Sequence, residues 1–174
     1  PQINNTSSEK IKVVSEESIT IDVVKKVGPS VVTIVEQSSS SDIDFGPFSP
    51  FIDQGNEPAD IGSGFVVDPS GLIVTNKHVV SDIDAKYQIV TSRDKKYNVE
   101  KISRDPLNDI AILKINPSEN ADEKLTPVEM GDSGKLQVGQ FAIAIGTALG
   151  EFRNTVTTGV ISGLGRGITA GSAF

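Results

Sequence analysis

The stretch SGFVVDPSGLIVTNKHVV, residues 63–80, contains the pattern that decides the fold. Two apolar, β-branched runs flank the tight turn Pro69-Ser70-Gly71, and this arrangement predicts a β-hairpin. After the second run the chain passes through Asn-Lys-His and returns to the apolar pair Val79-Val80. The stretch therefore predicts two antiparallel strands, with His78 just beyond the end of the second.

Short strands continue on both sides of this hairpin. Before a polar connector at 116–124, apolar runs separated by turn residues predict strands over 30–35, 63–68, 71–76, 85–92, 95–104 and 109–115. After the connector, the strands predicted in the same way are 125–131, 139–146 and 155–166. One short helix, capped by Ser18 and ended by Gly28-Pro29, precedes them all. Six strands followed by about three predict an all-β chain of two β-barrels, the first complete and the second partial.

The predicted organisation has three parts. Residues 1–17 are polar and are expected to be flexible, residues 18–120 form the helix and the first barrel, and residues 121–174 form the partial second barrel. Residues 37–60 are rich in Ser, Asp, Pro and Gly and predict a long loop within the first barrel. This loop contains three phenylalanines that either dock on an apolar surface or fold against their own chain: Phe45, Phe48 and Phe51.

Composition excludes several classes of function. The chain has 174 residues, 37% of them hydrophobic, which is enough for a real core. A net charge of −7 argues against a nucleic-acid partner, which would need clustered Lys and Arg. The chain has no Cys and one His, so we expect no disulfide and no thiolate or multi-histidine metal site. Nothing in the sequence suggests a cofactor. No apolar run is long enough to predict a membrane segment in this chain.

Two residues have the positions that acid–base chemistry needs. A histidine held at a strand end can present its ring rigidly to a cleft as a general base, although a single His is more often a residue without chemical function. Asp109 opens the strand 109–115, directly after the turn Pro106-Leu107-Asn108. Beside His78 it would fix the tautomer of the imidazole and stabilise the imidazolium. Asp105, in the same turn, is the competing candidate.

Two serines are candidates for the nucleophile, and neither fits that role. Ser133, in MGDSGKL (130–136), resembles the nucleophile motif of trypsin-like proteases, but Lys135 stands where a second glycine is needed. It also comes only 24 residues after Asp109 (133 − 109), at the start of the second barrel. Ser172 is followed by Ala173 and not by glycine. We therefore interpret Ser133 as part of a turn and Ser172 as part of a loop end.

Three segments in order, 63–80, 104–115 and 131–166, resemble the HtrA/Deg serine proteases, and the similarity extends over about residues 18–168. The resemblance implies a trypsin-like double β-barrel, with His78 as general base and Asp109 as orienting acid. It implies proteolysis of unfolded or damaged polypeptides without a metal or cofactor, and a homo-oligomer, namely a trimer. It also implies an extracytoplasmic location, either periplasmic or at the cell surface through an anchor missing from this chain.

The same resemblance places the catalytic serine in a glycine-rich segment beyond Phe174. The 174-residue chain alone is therefore expected to be inactive. The alternative interpretation is a catalytically incompetent fragment, or a chaperone-like binding module that keeps the barrel without the chemistry.

Overall fold

A computed structural model describes residues 16–37, 59–148 and 152–165. The three phenylalanines of the predicted loop, most of the N-terminal segment and Ser172 lie outside these ranges. One α-helix, α1, spans Glu16–Val27. It is followed by eight strands: β1 Val31–Gln37, β2 Ala59–Asp68, β3 Leu72–Thr75, β4 Lys86–Thr91, β5 Lys96–Arg104, β6 Ala111–Ile115, β7 Phe141–Ala148 and β8 Phe152–Val160.

The first six strands close into a barrel in the order β1-β2-β3-β6-β5-β4. All six pairings are antiparallel, and β1 closes the barrel by pairing with both β2 and β4. Each of the six strands pairs with two neighbours, so the closed barrel lacks the free edge strand that is the main hazard of an open sheet. The prediction of an all-β fold with a complete first barrel is confirmed.

Alternation along the strands fills the barrel interior. In β6, Ala111, Leu113 and Ile115 are fully buried, while Ile112, between them, is 44% exposed. Such alternation places every second side chain on the inner face, since successive strand residues point to opposite sides. The largest completely buried side chains come from five different strands and meet in one core: Ile34, Ile73, Ile89, Tyr97 and Leu113. Burial of each aliphatic side chain contributes about 1.5–3 kcal/mol to folding.

The remaining two strands, β7 and β8, form an antiparallel hairpin over 141–148 and 152–160. The hairpin approaches the barrel closely at Gly146, because a Cβ built there would lie 2.9 Å from the Ser63 hydroxyl oxygen. In the described residues no helix is long and apolar enough to cross a membrane.

The strand predicted at 125–131 is wrong. These residues form no strand, and a backbone hydrogen bond from Val128 N–H to the Val66 carbonyl, 2.8 Å, holds the segment to the barrel. Pro127 has no N–H to donate, so a continuous ladder cannot form through it. The run is apolar for another reason, since Leu125 is buried in the barrel core.

Several predicted boundaries also shift. β2 begins at Ala59 and not at 63, and β6 begins at Ala111, so Asp109 lies before this strand and does not open it. β8 ends at Val160, opposite the first residue of β7, so it has no partner strand for the predicted continuation to 166. The helix begins at Glu16, before the predicted cap Ser18, and the acidic Glu16 and Glu17 lie in its first turn. Negative charge at this end is favourable because the N-terminus of a helix carries partial positive charge.

Candidate active site

The register of β3 and β6 brings two distant parts of the sequence together. The last residue of β3, Thr75, pairs with the first residue of β6, Ala111. In an antiparallel pair, the residues after one strand must lie beside the residues before the other. Residues 76–78 therefore meet residues 108–110, although 31 residues separate His78 from Asp109.

His78 and Asp109 form a direct pair. His78 lies on a short 3₁₀ turn, Lys77–Val80, directly after β3. Its ring Nδ1 is 2.6 Å from Asp109 Oδ2, and its backbone N–H donates to Asp109 Oδ1 at 2.9 Å. The imidazole thus turns Nδ1 towards the carboxylate and Nε2 away from it. The His78 side chain is 71% exposed, so the ring is open to a reacting group.

Hydrogen bonds keep the Asp109 carboxylate in its charged form. The bond from the His78 backbone N–H is the main cause that lowers the pKa of Asp109 below its ordinary value of 3.8. Bonds from the His78 ring and from Asn76 act in the same direction. Partial burial of the carboxylate opposes them but does not prevail. At neutral pH the group is therefore an anion, as an acceptor for a protonated or Nδ1–H imidazole must be.

Asn76 is a site residue that the sequence interpretation missed. Its side-chain Nδ2 donates to Asp109 Oδ2 at 3.2 Å and to the Asp109 carbonyl oxygen at 3.3 Å. The sequence holds a weak signal, because an Asn directly before a helical turn is a typical capping residue. Its actual partner is 33 residues away, so the strand register was needed to find it.

Asp105, the competing acid, is occupied within its own turn. Its carboxylate accepts hydrogen bonds from the backbone N–H groups of Leu107 and Asn108 at 2.7 and 2.8 Å, and from Asn108 Nδ2 at 3.2 Å. The two backbone bonds are the main causes that lower the pKa of Asp105. Asp105 thus shapes the loop that presents Asp109, and it is not paired with His78.

Two basic side chains hold the histidine turn against the neighbouring strands. Lys77 Nζ donates to the Asp105 carbonyl oxygen at 3.1 Å. Arg104 donates from Nε to the Val80 carbonyl at 2.6 Å and from Nη2 to the Asp82 carbonyl at 3.1 Å. The turn is therefore tied at both ends to the chain around Asp105, which limits movement of the backbone that carries His78.

Ser133 lies in a separate turn. It begins a short 3₁₀ turn, Ser133–Lys135, in which the Asp132 carboxylate accepts from Gly134 N–H at 2.9 Å. Among the residues that the structure describes, no hydrogen bond joins Ser133 to His78 or Asp109. Its placement in a turn agrees with the interpretation of the sequence.

A depression of about 290 Å³ adjoins the Asp109 side of the pair. Barrel residues and the hairpin share its wall, through Ser63, Phe65 and Ile110 on one side and Ile145 on the other. The pair therefore lies where the barrel and the hairpin meet, with an apolar recess beside it.

Comparisons with known proteins point to one family. The family described as trypsin-like peptidase domain matches residues 62–173. A protein of Rickettsia conorii, named as a DegP-like periplasmic serine endoprotease, is 41% identical over 117 residues, which are 67% of this chain and 22% of that protein. A Synechocystis protein, named as the serine protease HhoA, is 37% identical over 165 residues, 87% of this chain and 40% of that protein.

A solved structure gives the same result at the level of the fold. The crystal structure of Deg5 superposes with a TM-score of 0.65 at 33% sequence identity, covering 90% of this chain and 68% of that one. The chain spans only about a fifth of the length of the DegP-like relative.

Proposed function

Because the chain belongs to the trypsin-like peptidases, in their HtrA/Deg branch, we propose that it forms part of a serine endopeptidase in which His78 is the general base and Asp109 the orienting acid. The observation that carries the proposal is the 2.6 Å contact between His78 Nδ1 and Asp109 Oδ2. This contact leaves Nε2, on the far side of an exposed ring, as the atom that accepts a proton.

The proposed reaction is acyl transfer. Nε2 of His78 takes the proton of a serine hydroxyl as the serine oxygen attacks the carbonyl carbon of a peptide bond. The same proton then passes to the leaving amine, the C–N bond breaks, and an acyl-enzyme remains. Water, deprotonated by Nε2 of His78, attacks the acyl carbon. The bond from this carbon to the serine oxygen breaks, and the proton on His78 returns to that oxygen. Throughout, the Asp109 carboxylate stabilises the positive charge on the imidazole.

We propose that the nucleophilic serine follows Phe174 in the full-length protein. The support is the placement of Ser133 in a turn of its own, together with the short span of this chain against its relatives. The proposed substrates are unfolded or damaged polypeptides, and the proposed location is outside the cytoplasm, as the name of the Rickettsia relative suggests. A homotrimer is proposed from the family resemblance alone.

A fluorophosphonate probe tests this proposal on the full-length gene product. We expect the probe to label a serine after residue 174, as located by peptide mass spectrometry. His78→Ala should abolish labelling and reduce cleavage of an unfolded substrate by roughly 10⁶, as loss of a triad base does. Ser133→Ala is the matched control. It should keep both the labelling by the probe and the cleavage of the unfolded substrate.

Each alternative outcome has a distinct meaning. Loss of labelling in Ser133→Ala would identify Ser133 as the nucleophile. Full cleavage by His78→Ala would exclude His78 as the base. A full-length protein that never reacts with the probe, yet suppresses aggregation of unfolded polypeptides, would favour the chaperone-like binding module.

A further inference from the structure

We propose that Asn76 is a positioning residue that holds the Asp109 carboxylate so that His78 carries its proton on Nδ1. This inference rests on the proposed function, since it assigns a role within the same pair. Asn76 touches no reacting atom, and it acts only through Asp109.

The geometry gives Asn76 a defined part in the site. Asp109 Oδ1 accepts from the His78 backbone N–H, whereas Oδ2 is shared between His78 Nδ1 at 2.6 Å and Asn76 Nδ2 at 3.2 Å. Two donors on Oδ2 and one on Oδ1 fix the rotation of the carboxylate about its Cβ–Cγ bond. Without Asn76, only donors of His78 itself hold the carboxylate among the hydrogen bonds described.

The Asn76 side chain does not cap the turn that follows it, although its position is the usual one for a capping residue. Asn76 is the residue before the 3₁₀ turn, in extended conformation with φ −74° and ψ 142°, where an Asn side chain ordinarily accepts from a backbone N–H of the turn. Here it makes no such capping bond. The Asp109 carboxylate accepts from the His78 N–H instead, which frees the amide of Asn76 to donate to Asp109, just before β6.

Both acceptors of the amide belong to Asp109. Nδ2 reaches the backbone carbonyl at 3.3 Å as well as the carboxylate at 3.2 Å. The amide therefore ties the side chain of Asp109 to the position of its own backbone, and both to the end of β3. A carboxylate held in this way favours the Nδ1–H tautomer of the neutral imidazole, which leaves the Nε2 lone pair free for the serine proton.

The test measures which ring nitrogen of His78 carries the proton. This measurement requires no nucleophile. His78 is the one histidine of the chain, so its imidazole ¹⁵N signals need no assignment among histidines. In the wild-type protein, when the ring is neutral, we expect Nδ1 to carry the proton in most molecules. In Asn76→Leu we expect this preference to be lost, with Nε2–H becoming the main form, as it is for histidine in water.

The matched control is Asn108→Leu. Asn108 is also an exposed asparagine whose Nδ2 lies 3.2 Å from an aspartate oxygen, but that aspartate is Asp105. In Asn108→Leu, the balance between the two tautomers of His78 should equal that of the wild type. Asn76→Asp covers the case in which Asn76→Leu fails to fold, because it keeps the shape of the residue while replacing the donor with an acceptor. It should also lose the Nδ1–H preference.

An unchanged tautomer balance in a folded Asn76 variant would overturn the proposal, as would an equal change in Asn108→Leu. In the full-length protein, we expect Asn76→Leu to reduce kcat roughly tenfold with little change in KM, the effect of losing one hydrogen bond to a charged group. If the wild-type full-length protein shows no cleavage while the tautomer shifts as expected, the proposed function fails and the positioning role stands.

Discussion

At the scale of single residues, hydrogen-bond donors keep Asp109 charged, against the opposing effect of burial. Half of its side chain is accessible, and the pKa is lowered chiefly by a backbone N–H. Such an arrangement keeps an acid ionised mainly through a neutral donor, with the attraction of His78 as a smaller cause. The imidazole of His78 can therefore gain and lose a proton next to a partner that stays an anion.

Gly71 occupies a position that only glycine can fill without strain. Its φ is +96°, and a Cβ at this position would lie 2.4 Å from the Ile115 carbonyl oxygen. We expect Gly71→Ala to lower the free energy of unfolding by about 2 kcal/mol or more, from backbone strain together with the clash. Urea denaturation measures this change.

Gly131→Ala is the control for Gly71→Ala. Nothing lies within 4 Å of a Cβ at Gly131, and its φ is not positive. Its urea midpoint should stay close to that of the wild type. An equal loss of stability in both variants would show that neither the turn nor the Ile115 contact is responsible.

At the scale of elements, the connector after β6 is attached to the barrel through Glu123. The Tyr97 hydroxyl donates to Glu123 Oε2, and the Thr91 hydroxyl to Oε1, each at 3.0 Å. Burial and the bond to Glu123 raise the pKa of Tyr97 well above its usual range. Burial, with Glu36 nearby, also raises the pKa of Tyr87, the only other tyrosine.

The two tyrosines give a pH prediction. Both pKa values are raised in the folded protein, so the unfolded chain ionises first as the pH rises. The contribution of the two tyrosines to stability is therefore constant below about pH 10 and falls above it. We expect no tyrosinate absorbance step at pH 10.0, the ordinary tyrosine pKa, while the protein stays folded.

The control for this titration is the protein in urea, where both rings should ionise near their ordinary pKa. The chain has no Trp, so the ultraviolet signal belongs to these two side chains. A step of half the full amplitude at pH 10, with the circular dichroism of the fold intact, would contradict the prediction for one of them.

The strands were predictable from local patterns, whereas contacts set by long-range pairing were not. The hairpin of β2 and β3 followed from alternation around Pro69-Ser70-Gly71, and β6 from the apolar run after Asp109. The run at 125–131 has the same apolar character, yet it is not a strand, because Leu125 packs into the core without a partner strand alongside. Asn76 was missed for a similar reason, since its partner is set by the register of β3 with β6.

At the scale of the whole molecule, hydrogen-bonded carboxylates set the response to acid. Donated bonds lower the pKa values of four aspartates: Asp68, Asp105, Asp109 and Asp122. Each contributes stability above the ordinary pKa of 3.8, which is lost as the pH falls through the lower value in the folded state. We expect the urea midpoint to fall progressively between about pH 5 and pH 2.

Salt distinguishes the cause of this acid response. Neutral hydrogen-bond donors are the leading cause for Asp68, Asp105 and Asp109. Screening of charge–charge attraction at about 1 M salt, where the Debye length is about 3 Å, should therefore leave most of the decline in place. Disappearance of the decline at high salt would mean that ion pairs such as Lys95–Asp122 dominate instead.

The hairpin and the barrel should also differ in their stability to opening. Within the described residues, β7 and β8 pair only with each other, and Phe141 and Val160 are 37% and 60% exposed. Strands β1 and β3 have a partner on each side, and their core residues Ile34 and Ile73 are fully buried. We therefore expect the amides of β7 and β8 to exchange through local opening, and those of β1 and β3 only through global unfolding.

Native-state hydrogen exchange at increasing urea measures this difference. Exchange of the hairpin amides should depend little on urea, whereas exchange of the barrel amides should follow the slope of global unfolding. Equal slopes in dilute protein would contradict the prediction and make hairpin and barrel one cooperative unit. Slopes that become equal only as the protein concentration rises would show that a second copy covers the hairpin, because only an association step depends on concentration. The same experiment thus separates an intrinsic property of the fold from the proposed assembly of several chains.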